Sequence, residues 1–543
     1  MLARVHSAAV VGVDAVPVEV EVDVGAGLPM CAIVGLPDAA VREARERVRS
    51  AIRNAGYEMP ARRVTVNLAP ADLRKVGPAF DLPIALGLLA ATQQIPPQAL
   101  AGCVVVGELS LDGSVRPVPG VLNIALGARA RRARALLVPA ANAEEAALVE
   151  GLTVHPVTAL AALVAALAGR GALPVQPATR ISARAPAGSE FMMAGASLAR
   201  AAGPEWARGS AGEGTEEPDL AEVRGHAHAR RALEIAAAGA HNLLLIGPPG
   251  TGKTMLARRL PTILPPLSLD EAIEVTRVYS AAGRLPAAPA MLAVRPFRAP
   301  HHATSVQALV GGGTPPVPGE VSLAHLGVLF LDEAAEFHHD ALAALRQPLE
   351  EGRVVVVRVT GTVTMPARCM LVAAMNPCPC GNLGDRRRVC TCTPPQRARY
   401  RARVSAPLLD RIDLHVEVPP LTGDELAAAA AERSADVRAR VLRARALQTV
   451  RGSAFGIAGA VNATMPAALA RASCALAPEP RALLRRAVDR LGLSPRAYHR
   501  LARVARTIAD LDDAAAIDAR HVAEAIGYRT LDRAADSEGF ANG

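Results

Sequence analysis

Residues 247–254 read Gly247-Pro248-Pro249-Gly250-Thr251-Gly252-Lys253-Thr254. Glycines at this spacing let backbone amides close around phosphate groups, and a helix beginning at Lys253 adds positive potential at the same point. Lys253 is positioned to contact β- and γ-phosphates, and the Thr254 hydroxyl is a magnesium ligand candidate. About eighty residues downstream, Val328-Leu329-Phe330-Leu331 ends in Asp332 and Glu333. A buried strand there delivers two carboxylates, Asp332 to hold magnesium, mainly through water, and Glu333 to act as general base on an attacking water. Asn376, after a third apolar run from Met370 to Ala374, is placed to orient that water. Arg411, between acidic neighbours in Leu-Leu-Asp-Arg-Ile-Asp, is either one half of a local salt bridge or an arginine finger reaching an adjacent subunit's nucleotide. Arg496, just after Ser494-Pro495, is a candidate sensor of the γ-phosphate of its own chain.

These residues need elements to hold them. Asn242–Ile246 runs directly into Gly247 as a strand, and the pattern from Leu220 to about Pro420 alternates helix and strand as in a parallel α/β sheet. We therefore assign residues 219–420 to a nucleotide-binding core. Beyond Leu421 the chain is rich in alanine, leucine and arginine, and Ser494-Pro495 is a good helix start, because serine caps and proline fits the first turn. Residues 421–543 are accordingly a helical lid. Residues 1–168 mix short β-like runs (Val16–Val24, Val64–Asn67, Val104–Val106) with alanine-rich helical stretches, an α/β front domain. Residues 169–218 collect glycine, proline and serine and are read as a linker, with an apolar helix near Phe191–Ala202.

At 543 residues the chain is too long for a single core. The formal charge of +9 suits a polyanionic partner but is small for this length. No run of 18 or more apolar residues appears, and no export signal is evident, so a cytoplasmic protein with no membrane partner is expected.

Four of the eight cysteines, Cys378, Cys380, Cys390 and Cys392, fall in two Cys-x-Cys pairs. Four thiolates can close a tetrahedral structural zinc site; the other reading is a loop of reduced thiols. The insert with His301, His302 and Gly311–Gly313, and the strand-turn-strand stretch Arg353–Val363, precede Asp332 and Asn376 respectively, where motors of the family resembled below project hairpins into the ring pore, and that resemblance makes them candidate DNA-facing segments. Arg358 and Arg386–Arg388 are available for phosphate contact. His301 and His302 equally well pack or bond locally. With aromatics at 2%, tracking of the backbone is favoured over base stacking.

The stretch Arg295–Phe337 (RPFRAPHHATSVQALVGGGTPPVPGEVSLAHLGVLFLDEAAEF), followed by LRQPLEEG and AAMNPCPCG, closely resembles the magnesium-chelatase-like AAA+ family called YifB or ComM. SPRAYHRLARVARTIADL, residues 494–511, is similar to that family's lid. The resemblance covers nearly the whole chain except the linker. It implies ATP and Mg2+ as substrate and cofactor, and a ring, hexameric in the family, with DNA helicase activity. That activity drives branch migration of incoming single strands in natural transformation. It also implies that Arg411 and Arg496 match the finger and sensor positions. The alternative is a remodeller of protein partners, as in magnesium-chelatase or MoxR-type motors.

The front domain resembles the proteolytic domain of Lon, whose pattern places a serine in Gly-Pro-Ser and a lysine about forty residues later. Here the corresponding positions are Ala79, after Gly77-Pro78, and Leu122, which offer neither nucleophile nor base. His226 stands where the family usually has glutamine, which leaves its contact to nucleotide open.

Overall fold

The computed structural model describes residues 1–177, 218–285, 291–358, 361–385, 388–427 and 431–529. The helix expected at Phe191–Ala202, most of the linker, and Arg386 and Arg387 lie outside the described residues.

Valines alternating with acidic residues open the chain, and strict alternation places one set of side chains on each face of a strand. Strand β1 (Leu2–Val11) pairs antiparallel with β2 (Asp14–Gly25) across a two-residue turn, and Val18, Val20, Val22 and Val24 point inward. Strands β3 (Met30–Val34) and β4 (Arg63–Ala69) extend this sheet on one side. On the other side β5 (Cys103–Val105) leads, past the small hairpin β6 (Glu108–Leu109) and β7 (Val115–Arg116), to β8 (Ala135–Pro139) and β9 (Thr153–Val157). The order is β3-β4-β2-β1-β5-β8-β9. Ala79 and Leu122 meet the same apolar cluster, and Leu122 is fully buried there.

The second sheet is wholly parallel. It contains β10 (Leu243–Ile246), β11 (Phe297–Arg298), β14 (Val328–Leu331), β17 (Met370–Met375) and β18 (Leu414–Glu417), in the order β11-β14-β17-β10-β18. Two hairpins stand apart from it, β12 (Gly311–Gly312) with β13 (Val317–Pro318), and β15 (Arg353–Arg358) with β16 (Gly361–Pro366). In β10, Leu243 and Leu245 enter the core shared with the lid helices, while Leu244 and Ile246 enter the core on the opposite face. β14 and β17 divide in the same way, which is why these strands read as unbroken apolar runs. Truncating one such residue, Leu245→Ala for example, costs about 2–5 kcal/mol. After β18 the described chain is helical, with long helices at Ser434–Ser453, Pro478–Leu491 and Pro495–Leu511. Ser494 caps the last of these, its hydroxyl accepting from the Ala497 N–H at 3.2 Å. No described helix is long and apolar enough to cross a membrane.

The front domain is fastened to the nucleotide-binding core through the helix Leu269–Ala281, a contact the sequence did not announce. Asn123 donates to the carbonyls of Val13 (2.9 Å) and Arg277 (3.2 Å), and the Gly120 N–H donates to the Ser280 carbonyl (2.9 Å). The buried carboxylate of Glu145 accepts from the Leu122 N–H (2.9 Å), Asn142 Nδ2 (3.1 Å) and Ser280 Oγ (2.5 Å). Gly12, at φ +65°, lies against the β15–β16 hairpin so closely that a Cβ would fall 2.6 Å from Val363 Cγ1. Glu145→Ala takes the acceptor from the Leu122 N–H and the Ser280 hydroxyl, at about 1–3 kcal/mol for each left unmatched, while Asn142 Nδ2 keeps the Val118 carbonyl. Thermal unfolding followed by circular dichroism should show a clearly lower midpoint for this variant, and an unchanged midpoint would show that the network contributes nothing.

Candidate active site

Three neighbouring strands end at the same edge of the parallel sheet, and each releases one part of the site there. β10 runs into the loop at Gly247. A side chain at that glycine would meet the Val418 carbonyl oxygen at 2.1 Å, because Val418 continues the pairing by donating to Ile246 O at 2.7 Å. Gly250 and Gly252 adopt φ of +79° and +86°, a left-handed backbone that glycine takes at no steric cost. A Cβ on Gly250 would meet nothing within 4 Å, so the loop faces open space there. The helix Lys253–Ile263 starts directly after Gly252, with its N-terminal amides at the loop.

Lys253 is buried, and its ammonium donates to the carbonyls of Gly247 (2.6 Å) and Pro248 (2.8 Å) and to Asn376 Oδ1 (3.3 Å). Burial lowers its pKa, while Asp332 and Glu333 act in the opposite sense. Thr254 Oγ1 donates to Asp332 Oδ2 at 2.7 Å, so the two candidate magnesium ligands are already adjacent. An aligned hydroxyl and carboxylate beside a glycine loop and an ammonium form a donor set that fits a magnesium-bound triphosphate.

Glu333 follows at φ +50°, a left-handed conformation that costs a residue with a side chain about 1–2 kcal/mol. Its N–H donates to Asp332 Oδ1 (3.0 Å), and its exposed carboxylate lies 3.7 Å from His302 Nδ1. His302 in turn lies against His301, with ring centroids 4.0 Å apart. The sequence pointed to both histidines for DNA or local packing, and the structure sets His302 beside the carboxylate. Asn376 follows β17, the strand between those carrying the other two parts. His226 begins the helix Ala227–Gly239 at φ +47°, buried beside the loop and hydrogen-bonded to the Thr251 backbone, and burial lowers its pKa.

The arginines lie elsewhere. Arg411 donates to the carbonyls of Arg346 (3.1 Å) and Pro407 (2.7 Å) and pairs with Glu350. Arg496 pairs with the other oxygen of the same carboxylate at 2.5 Å. The two arginines hold the Glu350 carboxyl below its ordinary range, Arg411 more strongly. The Arg411 carbonyl accepts from Asn242 Nδ2 (2.9 Å) and Arg500 Nη1 (3.0 Å), and Asp413 accepts from the Asn242 N–H (3.0 Å). Asn242 immediately precedes β10 and Gly247 immediately follows it. Five residue-to-residue rises of about 3.3 Å therefore separate the Arg411 anchor at Asn242 from the phosphate loop at Gly247 by roughly 17 Å. Arg496, expected to meet the γ-phosphate of its own chain, pairs with the Glu350 carboxylate that also holds Arg411.

The four cysteine sulfurs lie within 4.8 Å of one another. Backbone N–H groups of Asn382 and Thr391 draw the Cys380 thiol down to about 6, whereas burial pushes the Cys378 thiol up to about 12. A tetrathiolate cage of this size fits zinc.

Asp413, Asn242 and Glu350, which set the position of Arg411, carried no motif of their own. Only the acid flanking Arg411 in LLDRID and the Glu-Glu pair in LRQPLEEG hinted at them.

Three families match successive parts of the chain: magnesium chelatase subunit ChlI over residues 219–426, subunit ChlI of Mg-chelatase over 20–142, and the ChlI C-terminal family over 431–529. The chain is 43% identical over 535 residues to the uncharacterized protein YifB of Escherichia coli, spanning 98% of both chains. It is 44% identical over 545 residues to the competence protein ComM of Haemophilus influenzae, again spanning 98% of each. An uncharacterized Mycobacterium tuberculosis protein, Rv2897c, is 42% identical over 534 residues, or 97% of this chain and 98% of its own.

Asp413 is buried, and burial alone would raise its pKa; His241, Arg500 (2.6 Å) and the Asn242 N–H outweigh that and hold it well below the usual carboxylate range. A depressed carboxylate stabilises the fold above its unfolded pKa of about 3.9, and that contribution fades as pH falls through the lower folded value. Asp413→Ala should cost about 3–5 kcal/mol near neutrality, because it strands buried partners. The loss relative to wild type should shrink in strongly acidic buffer. Denaturant titrations at two pH values check both, and an equal loss at both would refute the charged role.

Proposed function

Since the chain belongs to the magnesium-chelatase-like AAA+ family that includes YifB and ComM, we propose that it is an ATP-hydrolysing ring motor that moves DNA. The observation that carries the ATPase part is the convergence of Lys253, Thr254, Asp332, Glu333 and Asn376 at the carboxyl ends of three adjacent parallel strands, where ligands bind in open α/β sheets. Lys253 and the loop amides bind the β- and γ-phosphates. Thr254 and Asp332 hold magnesium, which when bound supplies charge neutralisation at those phosphates. Glu333 accepts a proton from water as the new oxygen–phosphorus bond forms in line with the bond that breaks to release ADP. Asn376, already bonded to Lys253, orients that water.

Arg411 completes the site of a neighbouring subunit, while Arg496 senses the γ-phosphate of its own chain. Arg411 is anchored beside Asn242 at the amino end of β10 and shares the Glu350 carboxylate with Arg496, so it acts in trans once Glu350 releases it. An arginine in that role is worth roughly a thousandfold or more in rate, or at least about 4 kcal/mol of barrier. A trans element requires an assembly, and the family resemblance suggests a hexamer in the cytoplasm.

The DNA part rests on the printed name of the Haemophilus relative, a competence protein, and on the β15–β16 hairpin. That hairpin ends in exposed Val357 and Arg358, next to the core that carries Glu333. A hairpin of this kind offers sequence-independent phosphate contact. Branch migration of incoming strands during transformation is the task that fits these features. The competing reading, a motor that remodels protein partners, draws on the chelatase families.

Lys253→Ala should abolish nucleotide binding, whereas Glu333→Gln should still bind ATP and lose hydrolysis by about 100-fold or more. Equal loss of binding in both variants would contradict the assigned roles. Forked DNA should stimulate ATP hydrolysis by wild type, and wild type but not Lys253→Ala should migrate a branched substrate. An active, assembled ATPase that ignores DNA in both assays would favour the protein-remodelling reading.

A further inference from the structure

The segment after Asn376 carries the cysteines, and it has almost no structure of its own. Among the described residues from Pro377 to Thr393 there is no helix or strand, and the turn bonds are Gly381 N–H to Cys378 O and Asp385 N–H to Asn382 O, both 3.0 Å. A loop with so few backbone bonds needs another constraint to keep one conformation.

The sulfurs are placed to provide it. Cys378–Cys380, Cys378–Cys390 and Cys380–Cys390 separations are 3.4, 3.6 and 3.7 Å, and the Cys380 N–H points at Cys392 Sγ at 3.4 Å. Thiolates at about 2.3 Å from a tetrahedral zinc stand roughly 3.8 Å apart, close to these values. All four ligand positions are filled by sulfur, so the site is structural and leaves no open position for water.

What the loop leans on gives the cluster its purpose. Gly381, at φ +78°, sits so close to the phosphate loop that a Cβ there would lie 2.7 Å from Pro249 Cδ. Beyond that contact opens a cavity of about 350 Å³. Gly250, Thr251 and His226 line one part of it, and Asn382, Asp385 and Arg388, all from between the two cysteine pairs, line another. The loop is also tied to the catalytic edge at its start, through Asn376 and the Lys253 ammonium. Near its end the buried Tyr400 is hydrogen-bonded to the Asn376 backbone.

We propose that the four cysteines bind one zinc ion and that this ion fixes Asn382, Asp385 and Arg388 as a wall of the nucleotide pocket, so that nucleotide affinity depends on the metal. The inference rests on the nucleotide-binding reading above. Arg388 supplies positive charge toward the polyphosphate, and Asn382 and Asp385 supply polar partners for the ribose or base. Four thiols lose their protons as zinc binds, and the rigid loop that results holds three side chains that the backbone alone does not. The metal thus serves substrate binding without touching the chemistry.

The test uses the full chain purified without chelator, with zinc measured by elemental analysis and binding of a fluorescent ADP analogue measured by titration. Wild type and Lys253→Ala should both hold one zinc per chain. Removing zinc from wild type should weaken ADP-analogue binding by about tenfold or more, the scale on which supporting shells act, and adding zinc back should restore it. Arg388→Ala should keep its zinc and bind the analogue several-fold more weakly. The double variant Cys390→Ser/Cys392→Ser should lose zinc and affinity together; should it fail to fold, chelation of wild type and Arg388→Ala decide the matter. Absence of zinc from wild type overturns the proposal, as does affinity unchanged on zinc removal in protein whose circular dichroism is intact. Wild type that binds no analogue at all overturns the nucleotide reading and this inference with it, whereas tight binding indifferent to zinc overturns this inference alone.

Discussion

Strand β10 is four residues long, and what happens at its two ends organises the molecule. At the carboxyl end Gly247 has no side chain, so Val418 approaches and the phosphate loop begins under tension-free pairing on both sides. At the amino end Asn242 uses its amide three ways: Nδ2 donates to Arg411 O, Oδ1 accepts from the Leu371 N–H, and its N–H donates to Asp413. The strand is buried on both faces and paired on both edges, so neither end can move relative to the other without breaking the core. Phosphate-binding groups and the Arg411–Arg496 face are therefore held at a fixed separation within one chain. Under the proposed function, that separation is why Arg411 would serve the site of a neighbouring chain.

Much of the phosphate site was legible in the residues, because its parts are local. The loop, the strand before it and the carboxylates after β14 each announce themselves over a few positions, and glycine spacing leaves few alternatives. The strand bounds followed from unbroken apolar runs as well, Val328–Leu331 as expected and the run from Met370 to Ala374 continuing one residue further, to Met375. Arg496 has a partner that its own stretch of sequence does not announce. Its type and helix start were evident, but its direction depended on Glu350, which is 146 positions away. The same holds for Asp413, a residue that looked like a neighbour of the finger and is in fact the buried anion that fastens Arg500 and Asn242 around it.

Contacts between distant segments were the other blind spot. The front domain was recognised as a unit, yet nothing in its sequence indicated that Asn123 and Glu145 would meet the helix Leu269–Ala281, since each is an ordinary polar residue on an apolar stretch. Ala79 and Leu122 have a structural use: both pack in one apolar cluster. By the turn at Gly12 that domain also touches the β15–β16 hairpin. The cysteine pairs were legible as a candidate metal site, but the approach of their loop to Pro249 through Gly381 was not.

The account's central claim is that Lys253 of one chain works with Arg411 of the next. The most direct measurement is ATP hydrolysis by mixtures of Lys253→Ala and Arg411→Ala protein, each inactive by itself. The account predicts that activity appears on mixing, since some interfaces then join an intact phosphate loop to an intact arginine. Mixed assemblies that form normally and remain as inactive as either variant alone would contradict it.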